Sequence, residues 1–472
     1  MKYVENLTHM FTFGSDHILL DVNSGAVHKI SEPACRIVNL WRDTGCDLDD
    51  LPGILARGPR LPGEAEGGAP AGIDPADARE ICAELAGLAE EGLLMAPAPE
   101  LEDYQPSRDH AVKALCLHAA HDCNLRCRYC FAGAGAFGGD RGLMPYGTGR
   151  RALDFLFDAS GSRKHVEVDY FGGEPLMNFP VVRELILYGE EESRRRGKVL
   201  KQTLTTNGVL LKGEAREFLN RHDVALVLSL DGRREVNDRM RPAAGGQGSY
   251  DMVMPNIRET ADGRGGENYY LRGTYTRFNK DFFQDVRHMV ESGFNMVSVE
   301  PVVARPGEEW AFRQEDMPEL FDQYDQLARY YLERKRAGKP FSFFHFNLDL
   351  ERGPCLPKRL NGCGAGCEYL AVSPEGVLYP CHQFVGNPDF ALGDVRSGIR
   401  KPEIGDSFRE SHVLTKEKCR GCWARFYCSG GCHANAWNFN QNLKEPYGTG
   451  CELEKKRLEC AIWIKAAEAD GD

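Results

Sequence analysis

With 472 residues, 58 of them basic and 70 acidic for a formal charge of −12, the chain has room for about three domains and carries no basic block that would suit nucleic acid. No apolar run approaches the roughly 20 residues of a membrane span, and the opening MKYVENLTHMF lacks the layout of a secretion signal, so a cytoplasmic protein without membrane or nucleic-acid partners is expected. In that compartment thiols stay reduced, and 17 cysteines, an odd and clustered set, read as metal ligands before disulfides.

Residues 11–30 (FTFGSDHILLDVNSGAVHKI) alternate apolar and polar around Asn23, Ser24 and Gly25, the pattern of a strand–turn–strand hairpin. Two helices follow: SEPACRIVNLW with Ser31 as N-cap, and DPADAREICAELAGLAEEGLL with Asp74 before Pro75 at its start. Between them RGPRLPGEAEGGAPAG reads as a flexible insertion, and APAPELEDYQPSRDH closes the segment as a polar linker. A hairpin with helices within residues 1–100 resembles the winged-helix recognition element of peptide-maturing enzymes, whose strand edge captures a leader peptide by main-chain pairing. A generic accessory domain is the plain alternative.

From about residue 112 short apolar runs alternate with helical ones: KALCLHAA, VEVDYFGGEP, KQTLTTNG, ALVLSLDG, YYLRGTYT and MVSVEPVV. The alternation predicts an α/β domain of parallel βα units over residues 111–345, with ligand-facing residues at the carboxyl ends of the strands. GGEP, TTNG and SLDG fall at those ends. Over residues 346–472 the periodicity fades and cysteines crowd in, as in a domain held together by metal.

Directly after the first of these strands, HDCNLRCRYCFA sets Cys123, Cys127 and Cys130 in a C-x3-C-x2-C array. Three thiolates hold three irons of a four-iron cluster and leave one open. An open iron can chelate S-adenosylmethionine (SAM) through its amine and carboxylate and pass an electron to the sulfonium. A zinc site or unligated cysteines are the alternatives.

On the loop after a first strand, with Tyr129 before the last cysteine, the array resembles the signature of the radical SAM superfamily. The resemblance implies a partial (β/α)6 barrel and SAM-binding roles for further residues. Gly172 and Gly173 would let backbone approach the methionyl amine, and Glu174 would accept its proton. Thr205, Thr206, Asn207, Ser229 and Asp231 lie where the family binds the ribose and methionine portions. Arg241 and Arg272 both suit the SAM carboxylate, since a guanidinium fork matches that anion. Glu300 falls where a pocket wall is expected. Each has a bland alternative: a turn, a polar strand end, a structural ion pair or a helix cap.

The tail carries Cys355, Cys363, Cys367 and Cys381, then KCRGCWARFYCSGGCHANA with Cys419, Cys422, Cys428 and Cys432, then Cys451 and Cys460. The C-x2-C-x5-C-x3-C block, the C-x12-G-x4-C run from Cys363 through Gly376 to Cys381, and Cys451 resemble the seven-cysteine SPASM pattern of peptide-modifying radical SAM enzymes. That resemblance implies a SPASM domain with two auxiliary four-iron clusters, making three [4Fe-4S] clusters in all. One would sit on Cys419, Cys422, Cys428 and Cys451. The other would sit on Cys363, Cys381 and Cys432, with Cys355 as fourth ligand or an open iron in its place. Without the first array a zinc ribbon would be the better reading. Cys367 reads as an ordinary thiol, as do Cys35, Cys46, Cys82, Cys116 and Cys460.

Longer stretches, among them LDVNSGAVH, FGGEPLMNF, YLAVSPEGVLYPCHQFVG and GCELEKKRLECAIWIKAA, resemble the maturases of six-cysteine peptides, which form thioether cross-links. The resemblance runs through most of the chain and departs at the 57–73 insertion and at Cys367. It implies a cysteine-rich precursor peptide with a leader, and an electron donor such as ferredoxin or flavodoxin. Two related activities stay open. Sulfatase-maturing enzymes place a general-base aspartate where His382 follows Cys381, and an enzyme that cross-links a quinohemoprotein subunit joins cysteine to acidic residues. A metal-stabilised peptide-binding scaffold is the non-enzymatic alternative, and it predicts zinc and no SAM cleavage.

Overall fold

Two glycine turns fold the alternating N-terminal run into three antiparallel strands, β1 (Thr8–Phe13), β2 (Asp16–Asp21) and β3 (Val27–Ile30), in the order β1-β2-β3. Gly14 and Gly25 make the turns at φ of 63° and 79°. Asp21 closes the second by accepting from the Asn23 and Ser24 N–H groups and the Ser24 hydroxyl. The hairpin expected over 11–30 is therefore part of a larger sheet. Its first turn hides inside an alternating run with no Asn-Ser-Gly signal. Helices Glu32–Thr44 and Pro75–Glu90 start where predicted, Ser31 accepting from the Ala34 N–H and Asp74 from the Ala76 N–H. Ile37, Val38, Trp41, Cys82 and Leu85 close a small core over Leu19. The computed structural model describes residues 1–56, 73–98, 104, 106, 111–305, 307–350 and 356–469. Most of the predicted insertion, and Cys355, lie outside the described residues.

Six parallel strands follow, each paired with the next: β4 (Ala114–Ala120), β5 (His165–Gly172), β6 (Val199–Thr206), β7 (Ala225–Ser229), β8 (Tyr269–Tyr275) and β9 (Met296–Pro301). They coincide with the six apolar runs of the sequence. Helices such as Tyr146–Ala159, Phe179–Arg195 and Met317–Arg336 alternate with them. Leu153, Leu185, Ile186, Val286 and Leu320 from the helices bury against Val166, Val168, Leu204, Leu226 and Val297 of the strands. Each such fully buried side chain is worth about 1.5–3 kcal/mol. The alternate residues of the same strands, Asp169, Phe171, Thr203, Thr205, Val227, Ser229, Arg272 and Thr274, face a cavity instead.

The sheet continues past these six strands. β10 (Ser342–Phe343) joins β9 in parallel, and at the opposite edge β11 (Tyr369–Val372) joins β4 in parallel, Tyr369 opposite Ala114. β12 (Val377–Tyr379), β13 (Gly393–Asp394) and β14 (Gly398–Ile399) extend that edge antiparallel, for eleven strands in one sheet. The cysteine-rich segment is thus hydrogen-bonded to the strand that leads into Cys123. The C-terminal helix Gly448–Ala469 packs along Met317–Arg336 and meets the N-terminal sheet. There Trp463 stacks on Phe13 at 3.9 Å and donates its indole N–H to Asp16 at 2.9 Å. No described helix is long and apolar enough to cross a membrane.

Candidate active site

The loop after β4 carries Cys123, Cys127 and Cys130 onto the wall of one cavity of about 530 Å³. Two backbone seams hold it there. On one side the Arg126 and Arg128 N–H groups donate to the Pro242 and Met240 carbonyls at 2.8 and 2.9 Å. On the other the Gly173 and Glu174 N–H groups donate to the Ala120 and Asp122 carbonyls, both at 2.8 Å.

The second seam explains the paired glycines. A Cβ on Gly172 would lie 2.3 Å from the Ala120 oxygen, and one on Gly173 would lie 2.2 Å from the Asp122 oxygen. Both glycines also line the cavity. Gly173→Ala is expected to push the cysteine loop outward and cost about 1–3 kcal/mol. A lower melting temperature, with less iron retained on Cys123, Cys127 and Cys130 after reconstitution, would show it.

Every described cysteine is a free thiol. Burial pushes the Cys123 thiol up and that of Cys127 up to about 12, so both need a cationic partner to ionise. No three His, Cys, Asp or Glu side chains among the described residues converge as ligands of a single ion would. A cluster does not require that, because each of its irons takes its own thiolate. Three thiols without histidine or carboxylate, beside open cavity space, fit a four-iron cluster that is held on three sides.

Of the residues expected around SAM, Tyr129, Gly172, Gly173, Thr205, Thr206, Asn207, Ser229, Arg241 and Arg272 line this cavity. Asn207 Nδ2 points at Cys123 Sγ at 3.6 Å and donates to Asn124 Oδ1 at 2.7 Å. Glu174 and Asp231 sit behind the wall, and both are fully buried. Glu174 accepts from the Leu176 N–H, the Thr206 hydroxyl and the Asn207 N–H at 2.8–3.0 Å, tying the ends of β5 and β6 together. Burial raises its carboxyl to about 7 against these donors. Asp231 accepts from the Tyr129 hydroxyl at 2.7 Å and from the Thr274 N–H at 3.0 Å.

The two arginines differ in kind. Arg241 is buried, donates to the Tyr129 oxygen at 2.9 Å and lies 3.6 Å from Asp231, so its charge is already matched. Arg272 stands exposed in the cavity, with no hydrogen bond or ion pair to its guanidinium among the described residues.

Sequence reading passed over much of the cavity floor. Asp169, Thr203, Tyr369 and Asn438 line it too, as do Cys116, expected to be an ordinary thiol, and His382, noted only for standing where sulfatase-maturing enzymes have aspartate. Tyr369 and His382 contact through Oη and Nδ1 at 3.2 Å, and burial, first among the causes, lowers His382 to about 4 and lifts Asp169 to about 6. A signal for part of this set was available: Thr203 lies two residues before Thr205, on the same face of β6.

Glu300 also lies on the wall, within 3.0 Å of His345 and 3.5 Å of Arg457. Although burial opposes it, the charges of His345, Arg272 and Arg457 hold Glu300 well below the usual carboxylate range.

The second cysteine field gathers into two groups. Cys419, Cys428 and Cys451 are close electrostatic neighbours, and Cys422 neighbours Cys419 and Cys451. Cys381, Cys432 and Cys363 form the other group. Cys428, Cys432 and Cys451 line a second cavity of about 420 Å³. Its wall shares Arg272, Glu300, Pro301, Val302, Val303 and Gln383 with the first. Cys367 stands apart and donates its thiol to the Gly405 carbonyl at 3.2 Å.

The family profile of the 4Fe-4S single cluster domain matches residues 113–254. The radical SAM cyclopropyl synthase TigE of Paramaledivibacter caminithermalis is 21% identical over 345 residues, 68% of each chain. The cysteine-type anaerobic sulfatase-maturating enzyme of Clostridium novyi is 22% identical over 67% of this chain and 86% of its own. The structure of anSMEcpe with bound AdoMet and Kp18Cys peptide superposes with a TM-score of 0.63 at 19% identity, over 76% of this chain and 99% of that one. Streptococcus suis SuiB bound to precursor peptide SuiA gives 0.51 at 17% identity over 96% of this chain and all of its own. In sequence and in fold the chain resembles radical SAM, iron–sulfur enzymes.

Proposed function

We propose that the chain is a radical SAM peptide maturase that joins a cysteine sulfur to a backbone or side-chain carbon of a ribosomally made precursor, forming an intramolecular thioether. The observation that carries the reading is the pair of cavities with a common wall, the first cysteine array bordering one and the second cysteine field bordering the other. Cys123, Cys127 and Cys130 would hold a four-iron cluster beside the first cavity, which with SAM bound would supply one-electron chemistry able to remove hydrogen from an unactivated carbon.

The chain's own residues set the conditions. Arg272, which faces the cavity with no hydrogen bond or ion pair to its guanidinium among the described residues, takes the SAM carboxylate, while Arg241 fixes Tyr129 and Asp231. Thr205, Asn207 and Ser229 face the ribose and methionine portions. Joining R–SH to a C–H bond removes two hydrogens. One leaves carbon as a hydrogen atom, the other leaves sulfur as a proton, and one electron is left over.

Cys363, Cys381 and Cys432 would provide three thiolates for an auxiliary centre, which would supply a soft metal site for the substrate thiol and favour its ionised form. Cys419, Cys422, Cys428 and Cys451 hold the other auxiliary cluster, and residues 346–472 act as a SPASM domain. Residues 1–100 act as a winged-helix-like recognition element, whose outer strands β1 and β3 offer edges for a leader peptide. A ferredoxin or flavodoxin in the cytoplasm supplies electrons.

The test is anaerobic reconstitution with a candidate cysteine-rich peptide, followed by mass spectrometry. Each cross-link is expected to remove two hydrogens and to make one cysteine resistant to alkylation. Loss of one alkylatable cysteine together with its sulfur, leaving a carbonyl in place of a cross-link, would favour a sulfatase-maturing type of oxidation, which the Clostridium novyi similarity keeps as the second reading. Bound zinc with no SAM cleavage, or fewer than about eight irons per chain, would sink the multi-cluster assignment.

A further inference from the structure

Lys416 has no exposed surface, which is rare for an unpaired lysine. Its ammonium donates to the Gly430 carbonyl at 2.7 Å, and no carboxylate among the described residues forms an ion pair with it. An ammonium has three N–H donors and a full charge, and one neutral carbonyl does not repay taking it out of water. Lys456 shows the ordinary solution in the same region, with Asp325 at 2.6 Å.

Among the described residues, the groups of potential negative charge that act most on Lys416 are Cys419, Cys428, Cys432 and Cys451, and Lys416 Nζ sits on the Gly430 carbonyl between Cys428 and Cys432. The first, second and fourth belong to one proposed cluster set, and Cys432 belongs to the other. As neutral thiols they would leave the lysine uncompensated. As iron-bound thiolates they are its counter-ions.

We propose that Lys416 is the fixed counter-charge of the two auxiliary iron–sulfur clusters, held near cysteines of both sets so that it raises their reduction potentials. This rests on the proposed reading that both cysteine sets hold clusters. Reduction adds negative charge to a cluster, and a cation held nearby in a low-dielectric setting favours the reduced form. The electron left over from carbon–sulfur bond formation needs an acceptor, and a raised potential makes an auxiliary cluster a better one. A lysine suits the position because its charge is compact and its stem is thin and apolar. The same ammonium, through the Gly430 carbonyl, pins the turn between Cys428 and Cys432, so one side chain serves both sets.

The experiment uses the full chain with Cys123, Cys127 and Cys130 replaced by alanine, so that the iron left is auxiliary, and compares Lys416 with Lys416→Met and Lys416→Arg. Iron is counted first, and the clusters are then titrated electrochemically under EPR. The methionine variant is expected to shift the reduction equilibrium at least tenfold toward the oxidised form, a 59 mV fall for a one-electron couple. Arginine should keep the parent potential. Loss of auxiliary iron from the methionine variant alone, with arginine retaining it, also supports a counter-charge role. Equal potentials for lysine and methionine at equal iron content would overturn the proposal, as would loss of iron from both variants. An iron-free parent would instead overturn the cluster reading itself, before Lys416 enters.

Discussion

Replacing Cys123, Cys127 and Cys130 together by alanine is expected to abolish 5′-deoxyadenosine formation from SAM and to remove about four irons per chain, while the auxiliary iron stays. The three thiols line the first cavity, and none of the second field's described cysteines does. The loop itself should survive, because the bonds that hold it are main-chain ones, from Arg126 and Arg128 on one side and Gly173 and Glu174 on the other. A folded protein with partial iron and no SAM cleavage is therefore the expected state. Retained cleavage at wild-type rate would show that SAM is activated elsewhere.

The βα portion was legible because its strands are local, apolar runs whose ends are marked by polar and glycine clusters. N-caps at Ser31 and Asp74 were legible for the same reason, since a side-chain acceptor and the helix it caps lie within a few residues. The misses are non-local. β11 takes its place from pairing with β4, some 250 residues earlier, and YLAV alone is too short to announce a strand. Likewise Glu174 looks like a ligand from GGEP, yet its three donors come from Leu176, Thr206 and Asn207, two of them on another strand end. Arg241 and Arg272 could not be told apart by residue type. The difference is that Asp231 and Tyr129 occupy one guanidinium and leave the other open. Lys416 carried no sequence signal at all, since its burial depends on the turn at Gly430 folding over it.

If the proposed function holds, single replacements of Cys363, Cys381 and Cys432 by alanine are expected to separate SAM cleavage from cross-linking. SAM cleavage should continue near the wild-type rate, since none of the three lines the cysteine array's own loop, while thioether product falls more than about 100-fold, a barrier change of about 2.7 kcal/mol. The expectation follows from the balance of the reaction. In the proposed reaction hydrogen abstraction needs only the first cavity, whereas ionising the substrate thiol and removing the last electron need the second field. Substrate radicals formed in these variants should be quenched, giving deoxyadenosine without cross-links, which chromatography and mass spectrometry read in one sample. Cys367→Ala is the matched control. Its thiol is hydrogen-bonded to the Gly405 carbonyl, and burial, the largest cause, raises it to about 11, so cross-linking should be unchanged. Undiminished product in all three ligand variants would place substrate sulfur activation outside the Cys363, Cys381 and Cys432 group. Loss in Cys367→Ala alone would move the auxiliary ligand set to include it.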